Sequence, residues 1–432
     1  MAQADISRSA AQAPSAMGAF RALQIDPRLL GMIGALLIIW IGFDVLTGGL
    51  FLTPRNLFNL SVQTASVAVM ATGMVFIIVM RHIDLSVGAM LGVIGMLMGW
   101  MQAQVLPDLL GFGSWAIAPI TVLFGATVGA LIGAGQGYVV GYLGVPAFIV
   151  TLGGLLIWRG AAWWVTSGQT VAPLDANFVV LGGGLRGTLG AEWSWMLAAL
   201  ACAATVALIA ASRRRKIARA FPVKPLWAEL TVGAILLGLI VSFTAIMNAY
   251  DVPQRAAERL YQSRGLTLPE GMILSHGIAV PVIIVLIVAV AMTVIARRTR
   301  FGRYVFAAGG NPDAADLAGV DTRKLTVKVF ALMGFLTAIA AVIASARLQS
   351  AANDLGTLDE LRVIAAAVIG GTALSGGIGT IYGAILGALV MQSLQSGMAM
   401  VGVDAPLQSI VVGVVLVVAV LADIVYRRRV GD

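Results

Sequence analysis

Charge, cysteine and histidine are all scarce in this chain. Of its 432 residues 11% are Asp, Glu, Lys or Arg, and there are one cysteine and two histidines. A soluble domain carries about 25% charged residues, so a surface exposed to water over most of the molecule is excluded. Cys202 has no partner for an internal disulfide and, lying in an apolar stretch, reads as a small space-filling residue. His82 and His276 have no metal-ligand spacing, and neither HExxH nor GxSxG occurs. No lysine follows a glycine, so the phosphate-cradling GxxxxGK[ST] loop is missing and the chain is not a P-loop ATPase. The residues propose no catalytic group, no metal site and no cofactor held by this chain.

What is abundant is apolar: 59% of the residues are hydrophobic and 51 are glycine. A helix needs about 20 apolar residues to cross the hydrocarbon core. Segments of that kind lie at 29–50, 62–80, 85–105, 115–135, 147–165, 193–211, 226–247, 278–296, 328–346, 363–378, 380–402 and 407–425. They predict an all-α, polytopic integral membrane protein of about 10–12 transmembrane helices, with a tail at 1–28 and a membrane domain at 29–428. The tail lacks the continuous apolar core of a secretory signal. Segment 363–378, short and glycine-rich, is expected to be a broken or re-entrant piece inside the bundle, because only buried backbone tolerates a break at membrane depth. The run GATVGALIGAGQG at 125–137 reads as a surface for close helix approach.

The net charge is +8, and its placement excludes nucleic acid as the partner. Nineteen of the 28 Lys and Arg lie in four patches: three in the tail, six at 213–224, seven at 297–328 and three at 427–429. This is a positive-inside pattern, which puts both termini and both large basic loops in the cytoplasm. Twelve crossings satisfy that parity. Two of the opposite loops, 166–192 and 248–277, are long enough to receive an external partner, and RAAERLY at 255–261 reads as a short surface helix. Trp100, Trp115, Trp163, Trp164, Trp193 and Trp195 fall near span ends, as in an interfacial aromatic belt, whereas Trp40 and Trp158 lie deeper.

The basic island at 297–330 has its own local logic. Asn311 can cap a helix with Pro312 at its first position, and Asp313 and Asp316 suit its positive end. Gly319 offers a left-handed stop, and Asp321 can cap a second helix near Thr322. The first helix, at 312–318, is about two turns and needs a docking surface. An ordinary cytoplasmic loop could carry the same features.

Ionisable residues at membrane depth are costly and therefore candidates for function. Asp84, in MRHIDLSVGAMLG, can face a translocation route or simply cap the following helix. Arg159 can snorkel outward, pair with a carbonyl in the bundle, or line a pore. Asp44 lies late in the first span. His82 with Asp84 would be the proton site of an ion-driven secondary transporter, the rival to an ATP-driven one; a membrane enzyme or scaffold is a further alternative.

Four stretches resemble the permease subunits of bacterial sugar ABC importers of the ribose and xylose group. They are IDLSVG at 83–88, VPAFIVTLGGLLIWRG at 145–160, GRYVFAAGGNPDAADLAGV at 302–320 and AAAVIGGTALSGGIGTIYGAILGAL at 365–389. The additional apolar pair around 213–224 looks most like the D-xylose permeases. The resemblance implies a type II permease fold, similar to the vitamin B12 importer, in the bacterial inner membrane. It implies a homodimer, a separate ATP-binding subunit that holds ATP and Mg, a periplasmic sugar-binding protein, and membrane lipid around it. It also implies that Asn311, Pro312, Asp313, Ala314, Asp316, Leu317, Gly319 and Val320 form the region that couples to the ATPase, within a loop at 297–328. Asp84, Ser86, Thr151, Trp158 and Arg159 are candidates to line the sugar pathway. One departure is visible: many relatives read GGIDLSVG, whereas Met80, Arg81 and His82 precede Ile83 here, and a bulky charged pair argues against tight packing of that break.

Overall fold

The computed structural model describes residues 27–262 and 265–430. The expected tail at 1–28 lies outside the described residues but for its last two. The helices, in chain order, are α1 (Pro27–Leu46), α2 (Pro54–Val79), α3 (Val87–Trp100), α4 (Leu106–Leu110), α5 (Ile117–Gly141), α6 (Ala147–Thr166), α7 (Ala176–Val179), α8 (Gly190–Ala218) and α9 (Leu226–Asn248). They continue with α10 (Gln254–Gln262), α11 (Val280–Arg298), α12 (Arg300–Gly310), α13 (Pro312–Leu317), α14 (Thr322–Leu348), α15 (Asp359–Ile369), α16 (Ile381–Met400) and α17 (Ala405–Val430). A π-turn, Met101–Val105, joins α3 to α4. β-structure among the described residues is limited to isolated bridges.

Nine helical stretches among the described residues are long and apolar enough to cross a membrane. Helix α16 has 20 residues and α17 has 26. The described residues divide into two compact units, 27–31 with 195–245, and 32–194 with those from 246 to 430. In the first, the guanidinium of Arg213 donates to Glu229 at 2.6 Å, joining the ends of α8 and α9.

The core of the second unit is built on α2, α3 and α14. Helix α2 starts with Pro54 at its first position, where a missing N–H costs nothing, and from Val67 to Val79 every residue is buried. A helix that is apolar all round belongs in the interior, and α14 obeys the same rule over most of its length. The glycines of α5 recur every four residues and bring it against α14. A Cβ at Gly129 would strike Gly334, one at Gly133 the carbonyl of Phe330, and one at Gly137 the backbone of Val327. The run at 125–137 is thus a small-residue contact surface.

The segment expected to cross at 363–378 is different. Only Asp359–Ile369 is helical, about 16 Å of rise at 1.5 Å per residue, half of the hydrocarbon core. Irregular chain flanks this helix on both sides. Residues 351–356 run down a stripe of glycines on α3, with Ala351 against Gly99, Leu355 against Gly95 and Gly92, and Gly356 against Gly88. Val171 and Ala351 exchange backbone bonds of 2.9 Å at the start of this descent. Beyond α15 the chain turns through 371–380 and reaches the end of α2, where Gly377 N–H donates to Val79 O at 3.0 Å. Backbone freed from a helix at this depth is tolerated because it is buried in protein and hydrogen-bonded.

Candidate functional site

The island at 297–330 folds as a helix, a sharp turn and a second short helix. Helix α12 was not expected. Thr299, extended at φ −91°, accepts from Gly302 N–H at 3.1 Å and starts it, and Phe301, Val305 and Ala308 give it one apolar side on the core. Those spacings were present in RRTRFGRYVFAAGG, masked by the arginines. Asn311 then caps α13: its Oδ1 accepts from Ala314 N–H at 3.0 Å, with Pro312 at the first helical position. Gly319, at φ +82°, ends the turn, and its N–H donates to Asp316 O at 2.9 Å while Val320 N–H donates to Ala315 O at 3.0 Å. Asp316 Oδ1 accepts from the Thr322 hydroxyl at 2.8 Å, and Asp321 caps α14 through Lys324 N–H at 2.9 Å. Ala315 is buried under the turn, and Leu317 stands 91% exposed at its tip. Six residues could not hold this helix alone; four side-chain or turn bonds and α12 do.

The second group of candidates gathers where α3, α5 and α6 meet. Asp84 is fully buried in the break between α2 and α3. Its Oδ1 accepts from Ser86 N–H at 2.9 Å and from Ser86 Oγ at 2.6 Å, and Gln136 Nε2 donates to Ser86 Oγ at 2.9 Å. Its Oδ2 has no partner among the described residues, nor has the buried Trp158 Nε1. Thr151 Oγ1 donates to Ala147 O at 2.9 Å and reaches Ile83 O at 3.2 Å. Gly154 separates these groups, since a Cβ there would strike Gln136 Nε2 and crowd Ser86 and Trp158 Nε1. Burial pushes the Asp84 carboxyl above its ordinary range, against the pull of its bonds to Ser86. Gln136 was missed by the sequence reading; a glutamine inside an apolar span was the available signal.

Arg159 lies apart from that cluster. Its Nη1 donates to Asn353 O at 2.9 Å and Leu355 O at 3.1 Å, so of the three alternatives the carbonyl pairing holds, and it secures the irregular chain that precedes α15. Glu360, buried with Oε2 unpartnered and close to Gly88, belongs to the same region and was not anticipated. Two residues singled out by depth have structural bonds: Trp40 Nε1 donates to Ser393 Oγ at 2.9 Å, and Asp44 Oδ1 accepts from Leu52 N–H at 2.9 Å. His82 packs on Phe330, ring centroids 5.9 Å apart, and makes no side-chain bond to Asp84 among the described residues.

At the departure formed by Met80, Arg81 and His82 the break is held by side-chain bonds. Arg81, at φ +64°, folds its guanidinium against the end of α12, with Nε donating to Gly309 O at 2.9 Å and Nη2 to Gly310 O at 2.8 Å. The charged side chain ties the break to the end of α12. No group of three or more His, Cys, Asp or Glu among the described residues could hold a metal.

Nine helical stretches long and apolar enough to cross a membrane, among the described residues, define a polytopic helical membrane protein. Residues 175–420 match the family model described as branched-chain amino acid transport system / permease component. Over 413 residues the chain is 35% identical to the xylose transport system permease protein XylH of Escherichia coli strain K12, covering 95% of this chain and 96% of that one. Its counterpart in Haemophilus influenzae is 33% identical, with 95% and 100% covered. The ribose import permease protein RbsC of Escherichia coli K12 is 31% identical over 373 residues, with 86% and 87% covered. No solved structure matches the chain. The chain belongs to the permease family of bacterial sugar ABC importers, in the group that holds the xylose and ribose permeases. It is a non-catalytic membrane subunit.

Proposed function

We propose that this chain is the translocation subunit of an ATP-driven monosaccharide importer, with D-xylose the first candidate, and that a separate ATPase docks on the turn at 311–320. The carrying observation is α13 itself: six residues held by caps at both ends, presenting an almost fully exposed Leu317 from a chain that has no P-loop. An apolar tip on a rigid turn fits a cleft in a partner. A homodimer in the inner membrane, with α13 and both termini cytoplasmic and a periplasmic binding protein at the far end, completes the assembly. At that end Arg186, Arg255 and Arg259 line an open groove beside α10, which suits an acidic partner surface. Asp84, Ser86, Thr151 and Trp158 line or gate the sugar route, where an unpartnered acceptor and an unpartnered donor can both meet hydroxyl groups. Arg159 shapes the route by holding the broken crossing.

The test is uptake into vesicles that hold the permease, its ATPase and its binding protein. ATP-dependent xylose uptake stops with vanadate and persists with a protonophore, and Leu317→Asp remains in the membrane while losing the ATPase on copurification. The opposite drug pattern would establish the ion-driven rival. Normal ATPase capture and transport by Leu317→Asp would remove the docking assignment.

A further inference from the structure

Helix α12 delivers the docking turn, yet nothing within the turn itself explains how a push on it would reach the membrane core. The connection lies at the C-terminal end of α12, immediately before the turn. Its last two carbonyls, Gly309 O and Gly310 O, are orphans of the helix C-terminus and need donors from elsewhere. Arg81 supplies both, from the break between α2 and α3, 228 residues earlier in the chain. A guanidinium fork is suited to two neighbouring acceptors, and its positive charge suits the negative end of a helix. To reach them, Arg81 adopts φ +64°, a left-handed conformation that a non-glycine residue takes only when its surroundings enforce it.

The same point is packed from a third side. A Cβ on Gly309 would overlap Val79 O and press on Gly377 N, and one on Gly376 would strike the Arg81 side chain and Gly309 O. Gly377 N–H donates to Val79 O at 3.0 Å. The end of α2, the end of α12 and the loop after α15 therefore meet around one arginine. From there the chain runs in two directions into the irregular parts of the bundle, through Asp84 and Ser86 to the start of α3, and through 371–380 to the broken crossing.

We propose that Arg81 is the positioning residue that transmits displacement of the docking turn to these two irregular segments. It ties α12 to the α2–α3 break so that a shift of α13 moves both, while interacting with neither ATP nor sugar. The proposal rests on reading α13 as the ATPase docking turn. A purely structural cap would lower the amount of folded protein and scale transport and sugar-stimulated ATP hydrolysis down together. A transmitting link changes their ratio.

The experiment measures ATP hydrolysed per xylose taken up in vesicles holding the full importer, for Arg81→Ala, Arg81→Lys and Leu317→Asp. Arg81→Ala is expected to keep the ATPase bound and hydrolysing while the uptake obtained per ATP falls about tenfold, within the usual range for one coupling interaction. Arg81→Lys, which keeps the charge but lacks the fork, is expected to fall between. An unchanged ratio in Arg81→Ala overturns the proposal, whatever its absolute rate. If Arg81→Ala does not reach the membrane, Arg81→Lys decides: a reduced ratio supports the link and an unchanged ratio overturns it. Failure of the docking reading is seen separately, as normal ATPase capture by Leu317→Asp.

Discussion

Asp84 uses one carboxylate oxygen and leaves the other bare. The first oxygen holds Ser86 by its N–H and its hydroxyl rather than capping α3 as the sequence suggested, because α3 starts at Val87 with Ser86 before it and no side-chain cap bond. The second is left bare by burial in the tertiary packing, and no local rule reveals it. Its consequence is a pH dependence of stability. Burial raises the carboxyl pKa in the folded protein above the unfolded value, which is about 3.9. A raised acid favours folding when protonated, so its contribution is complete below the unfolded value and is lost as pH rises through the folded one. Asp84→Asn keeps an oxygen for Ser86 N–H and Oγ but cannot ionise. In detergent melts the variant should gain on the parent as pH is raised from about 4 to about 8. A difference that stays constant across that range would show that ionisation of Asp84 carries no cost.

Helices of this protein divide into those whose form is written locally and those fixed by their neighbours. Helix α13 was legible to within a residue at each end, because Asn311, Pro312, Gly319 and Asp321 act within one turn of where they stand. Helix α12 was not, since its apolar side is interleaved with arginines that also satisfy the positive-inside rule. The segment at 363–378 was legible as irregular but not in its course, because the descent of the chain before it along the glycines of α3 is a tertiary contact. Glycine runs hide a similar distinction. Gly133 and Gly135 are two apart in one run, but a Cβ at Gly133 would strike the Phe330 backbone, whereas at Gly135 it meets nothing within 4 Å. Gly133→Leu should separate α5 from α14 and lower the melting temperature, an overpacking cost of about 1–3 kcal/mol or more. Gly135→Ala should raise stability by about 0.5–1 kcal/mol through helix propensity. Equal effects of the two in thermal melts would mean that the run contributes flexibility rather than contact.

At the scale of the whole molecule, the orientation in the membrane rests on charge alone. Seven Lys and Arg lie at 297–328, around α13, against a mixed set of charges in the loop that holds α10. Helix α11, of 19 residues, separates these two regions by about the hydrocarbon thickness, so one label on each side decides the sense of the chain. The single cysteine makes this direct: Cys202→Ala leaves a thiol-free protein into which one cysteine can be placed at a time. Leu317→Cys on α13 and Gln254→Cys on α10 both fall at exposed positions. A membrane-impermeant maleimide should label the first only in inside-out vesicles and the second only in intact spheroplasts. The reverse pattern would put the docking turn outside, where no ATPase could reach it, and would remove the energy source from the proposed transport cycle.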